Sequence, residues 1–168
     1  MAYLLIIVAV LLRLVPHPAN FAPVAALALF GGVYLDKRWA LILPLTAMLM
    51  SDVFIGFYTW QIMASVYISF ALVGLIGLWV KKHKKAATVI GATLSGSILF
   101  FAITNFAVWA FGTMYPHTLQ GLVMSYIAGI PFFRNTLLGD FFYVGVFFGS
   151  YELVMALAAK RREITERV

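Results

Sequence analysis

No cysteine occurs among the 168 residues, which excludes disulfides, thiol catalysis and thiolate metal sites. Charge is also scarce. Asp, Glu, Lys and Arg make up 11% of the chain, where a soluble domain carries about 25%. Catalytic signatures are missing as well: there is no HExxH, no GxSxG and no pair of acids at a fixed catalytic spacing. The absence of a Walker motif excludes nucleotide hydrolysis through a P-loop. His17, His83 and His117 are isolated, so neither a metal nor a cofactor is expected, and the chain does not read as an enzyme.

What fills the chain instead is apolar. Hydrophobic residues account for 64%, aromatics for 16%, and the mean hydropathy is +0.99. So much apolar surface requires lipid as its solvent, and the reading is an all-α integral membrane protein with no substantial soluble domain. The length suits one domain, 1–168. Its N-terminus lacks the basic stretch and cleavage site of a signal peptide, so the first apolar run is kept as part of the mature protein.

Six spans are predicted, at about 2–15, 20–35, 39–57, 60–80, 86–112 and 135–159. The first two, parted by Pro16 and Pro18, are short enough that a shallow hairpin is the alternative to two full spans. Between the last two, Pro116, Gly121, Gly129 and Pro131 interrupt an apolar stretch, which predicts an interfacial or re-entrant helix.

The net charge of +6 is concentrated in short clusters between apolar segments. Lys37–Arg38, Lys81–Lys85 and Lys160–Arg167 hold ten of the twelve Lys and Arg residues. Such clusters read as topology determinants, not as nucleic-acid contacts. With six spans all ten fall on one side, which predicts both termini in the cytoplasm of a multi-pass protein of the cell membrane. Arg13 and Arg134 remain outside.

Asp52, Asp140 and Glu152 lie within predicted spans, where an ionisable group costs at least ~2.5 kcal/mol. Each needs a partner or a hydrated cavity. Asp52 suits a structural pair with Arg13 or Arg134, or a site. At 100° per residue Asp140, Val144 and Tyr151 share one helix face, and Arg134, Gly145 and Glu152 another. Glu152 lies near enough to the basic end to meet a cation there. Gly145 and Gly149 form a GxxxG pair, which predicts close helix packing. Thr93, Ser97 and Thr104 make a polar seam expected to bond back to their own helix, whereas Asn105 with Trp109 forms a more informative stripe. Asp52, Asn105, Trp109, Arg134 and Asp140 thus gather near the outer end, and the loops add Asn20, Tyr58 and His117. This collection predicts a solute site open to the outside.

The run Asn20 to Gly32, with Pro44, Ser51-Asp52, Gly56, Thr104-Asn105-Phe106, Trp109 and Ile130-Pro131-Phe132-Phe133, resembles an uncharacterised family of small bacterial membrane proteins described only as transport proteins. That family is similar in architecture to the S-components of energy-coupling-factor (ECF) vitamin transporters. The resemblance implies a six-helix S-component-like bundle that binds a small molecule such as a vitamin. Uptake would be energised by a separate ATPase module through a transmembrane coupling subunit. S-components carry an Ala-x-x-x-Ala contact in their first helix; here Ala22 and Ala26 have that spacing in the second apolar segment. The alternative is a structural or accessory subunit of a larger complex, without a ligand of its own. The small size also argues against a transporter built from two inverted repeats.

Overall fold

The computed structural model describes residues 18–165 together with 4, 7, 8, 11–13, 15 and 16. Five helices follow one another: α1 (Val24–Tyr34), α2 (Lys37–Ile55), α3 (Trp60–Lys82), α4 (Ala86–Phe111) and α5 (Leu119–Thr165). Residues 4, 7, 8 and 11–13 are also helical, and no strand occurs among the described residues.

Helices α2 to α5 are each long and apolar enough to cross a membrane. Their outer faces carry exposed Phe54, Ile68, Ile90, Ile98 and Leu138, as expected of surface turned to lipid. Chain chemistry fixes their ends. Gly56 closes α2 at φ 107°, a left-handed conformation that a side chain would strain. The basic last turn of α3, Lys81 and Lys82, complements the helix dipole.

The six predicted spans resolve differently. The 20–35 segment yields α1, whose 11 residues reach about 16 Å, half of a ~30 Å hydrocarbon core. Half of the 2–15 segment, and His17, lie outside the described residues. The expected separate interfacial helix is also corrected: residues 119–133 and the last span form one continuous 47-residue helix. Pro131 does not break it, since membrane helices tolerate proline where neighbouring groups satisfy the freed backbone.

α1 is the core. Ten of its eleven residues, Val24 to Val33, are buried, and it contacts all four other helices. A helix apolar on every side suits such a place. Its tightest neighbour is α3, where Gly32 faces Gly74 and Gly77. A Cβ on Gly77 would lie 2.6 Å from the Leu29 carbonyl oxygen and 2.9 Å from Gly32 Cα, so only glycine permits this approach. The close packing expected of the Gly145–Gly149 GxxxG pair is therefore corrected: it occurs at Gly32, Gly74 and Gly77 instead. Gly145 and Gly149 are exposed, with open space where a Cβ would stand.

α5 runs antiparallel to α4, and Lys37, Lys81 to Lys85, Glu152, Arg161 and Arg162 all lie toward one end of the bundle. There Lys81 Nζ donates to the Leu35 carbonyl at 2.7 Å and so caps α1. Lys84 and Tyr34 both donate to Glu152, giving that acid the basic partner expected of it. Above them Phe30, Tyr34, Phe148 and Tyr151 stack into an aromatic plug, with Tyr34 and Tyr151 centroids 4.1 Å apart.

Candidate functional site

The described residues between Arg13 and α1 are not helical. Asn20 adopts φ 62°, tolerable for Asn, and Phe21 N–H closes a turn on the Pro18 carbonyl at 2.9 Å. Asn135 Nδ2 ties this segment to α5 by donating to the Ala19 carbonyl at 3.0 Å. Irregular backbone at membrane depth persists where it lines a cavity. One is present. A cavity of about 490 Å³ is lined by Arg13, Pro16 and Asn20, by Val24 and Ala25 at the start of α1, and by Val66, Phe70, Phe100, Thr136 and Asp140. Ile55 and Tyr58, at the end away from the lysine clusters, form its rim. Burial raises the Tyr58 phenol above its ordinary value and the Asp52 carboxylate adds to this, so it stays a neutral hydroxyl. A second space of about 250 Å³ adjoins it, sharing Asn20, Val66, Phe100 and Thr136 and reaching Thr104 and Asn105.

Two acids face this region in different ways. Asp52 is 1% exposed and already satisfied: Arg13 Nη2 and the Tyr67 hydroxyl each donate to it at 2.6 Å. Arg13 also donates to the Met48 carbonyl at 2.8 Å and to the Ser51 hydroxyl. The pair is a structural tie between the N-terminal segment, α2 and α3, with its charges cancelled.

Asp140 differs. It is 3% exposed, accepts one hydrogen bond, from Ser97 Oγ at 2.6 Å, and has no cation partner among the described residues. No fully buried side-chain oxygen among those residues lacks a partner, so its other oxygen, Oδ1, retains some accessible surface, and Asp140 is part of the cavity wall.

The five predicted site residues therefore part company. Asp140 lines the main cavity and Asn105 the adjoining one, where Asn105 Nδ2 donates to its own helix at Phe101 O, 2.8 Å. Asp52 stands behind Arg13 and not in the wall. Trp109 lines neither space; its Nε1 donates to the Pro116 carbonyl at 3.1 Å and steadies the α4–α5 connection. Arg134 is exposed, on the α5 face that also carries Ile127, Ile130 and Leu138, and makes no ion pair among the described residues. The pairing with Asp52 open to either arginine is made by Arg13. Tyr67, Phe70, Phe100 and Thr136 were not distinguishable beforehand; they look like ordinary residues of apolar helices. Ala22, half-buried, lines the cavity, and Ala26 is fully buried.

Four long apolar helices, an apolar exterior and an interior cavity define a helical protein suited to a membrane. Residues 1–163 match the model of a family of unknown function, DUF6580, and the chain belongs to that family. No curated protein and no solved structure matches it.

Proposed function

We propose that this chain is a membrane-embedded solute-binding protein, the specificity subunit of an uptake system energised by a separate ATPase module. The observation that carries the reading is Asp140: an acid buried in a membrane bundle without a cation, turned toward a 490 Å³ cavity. That volume falls within the range of small-molecule sites, and its walls combine apolar side chains with a few polar groups. The basic clusters mark the cytoplasmic end by the positive-inside rule, so the mouth beside Ile55 and Tyr58 faces outward. The aromatic plug around Phe30 closes the path toward the cytoplasm. The resemblance to ECF S-components agrees with this arrangement, with a contact surface for the coupling subunit other than Ala22 and Ala26.

The accessory-subunit reading draws on the Arg13–Asp52–Tyr67 network, in which polar groups merely pair across helices. The experiment that separates the two is ligand-induced stabilisation of the purified protein against a panel of vitamins and small ions. A compound that raises the melting temperature in wild type, but not when Thr136→Trp fills the cavity, supports solute binding. Failure of every compound favours the accessory role.

A further inference from the structure

Resting on that reading, we infer that the cavity takes a small organic monocation, a protonated or quaternary amine with an apolar or aromatic body, held at Asp140. The charge balance of the wall is the first ground. Among the described residues Arg13 and Asp140 are its charged members, and Arg13 is already neutralised by Asp52 at 2.6 Å. One uncompensated carboxylate is left, and a cation is the ligand that removes the penalty of keeping it ionised in an apolar surrounding.

Geometry is the second ground. Ser97 donates to Oδ2, and Oδ1 is left accessible and without a protein donor on a residue that lines the cavity, so a single positive centre can pair with it by charge. Phe70 and Phe100, stacked with centroids 5.1 Å apart and 26° between planes, form the wall and can receive an aromatic body or the face of a cation. An inorganic ion suits the site less well. A metal needs several converging oxygens, and no group of three or more metal-binding side chains occurs among the described residues.

The test is a charge series on the full chain in detergent or nanodiscs. Thermal stabilisation is titrated with benzylamine, benzyltrimethylammonium, benzyl alcohol and benzoate at constant sodium chloride. The two cations should bind, and benzyl alcohol and benzoate should bind roughly thirtyfold or more weakly, the loss expected when a buried charge pair forfeits one partner. Asp140→Asn should erase the preference for the cations while melting cooperatively. Equal binding of benzyl alcohol or benzoate by wild type overturns the proposal whether or not the variant folds. So does protection by sodium chloride alone, or unchanged cation binding in Asp140→Asn. Neutral or anionic compounds that bind and are blocked by Thr136→Trp would sink the cation class yet leave solute binding standing. Binding by no compound of any charge sinks both.

Discussion

Replacing Gly77 with alanine adds one carbon at the point where α1 and α3 come closest. The new Cβ would stand 2.6 Å from the Leu29 carbonyl oxygen and 2.9 Å from Gly32 Cα, against about 3.4 Å for an ordinary contact. Both obstacles are backbone, so no side chain can swing aside, and the helices must separate by about 0.5–0.8 Å. Overpacking of this kind destabilises by about 1–3 kcal/mol, and two backbone clashes place Gly77→Ala near the upper end. Alanine's better helix propensity returns about 1 kcal/mol, leaving a net loss of about 2. Gly149→Ala supplies the control. Nothing lies within 4 Å of its Cβ, so it should be neutral or gain up to about 1 kcal/mol from propensity alone. Equilibrium unfolding of both variants in the same detergent should therefore separate them by about 2–3 kcal/mol, Gly77→Ala the weaker. Equal stabilities would refute the close α1–α3 approach and, with it, α1 as the packed centre of the bundle.

Other outcomes follow from the ion pairs and the topology. Arg13→Ala should lower stability by about 3–5 kcal/mol because it strands the buried Asp52 carboxylate, whereas Arg13→Met with Asp52→Leu should lose less than either single change; chemical denaturation decides. Glu152→Gln should cost less than about 1 kcal/mol, since its pair with Lys84 is half exposed, and 1 M salt should erase that difference in melting. Cysteines placed at Lys84 and Thr118 should label from opposite sides of the membrane, because α4 crosses between them. Labelling from one side would overturn the arrangement.

Composition and charge placement anticipated much of this bundle. α2, α3 and α4 begin and end within about two residues of the boundaries read from apolar runs and flanking lysines, because those ends are set locally. The faces of α5 were also legible: Asp140 and Val144 are buried, while Arg134, Gly145 and Glu152 are exposed. What failed was whatever depends on partners far along the chain. α1 is apolar on all sides, a pattern shared by lipid-facing and core helices, so nothing in it announced an 11-residue buried centre. Pro131 and the glycines near it looked like breaks, yet Gly129 is there because α5 passes against Phe101 and Asn105 of α4. For Asp52, 39 residues from Arg13, the sequence offered a pair with Arg13 or Arg134, and only the fold selects Arg13. The site shared that fate: Asp140 was identifiable as an acid that lipid would exclude, but its cavity walls, Phe70, Phe100 and Thr136, have no distinguishing chemistry of their own.

The account rests most directly on the cavity beside Asp140 being reachable from the outer face of the membrane. Because the chain has no cysteine, Thr136→Cys introduces a single thiol into the cavity wall. Intact cells treated with a small, membrane-impermeant cationic methanethiosulfonate should modify it from outside, and Asp140→Asn should slow that modification by removing the attracting charge. Modification only after the cells are opened, or only after the protein is denatured, would contradict an outward-facing solute site.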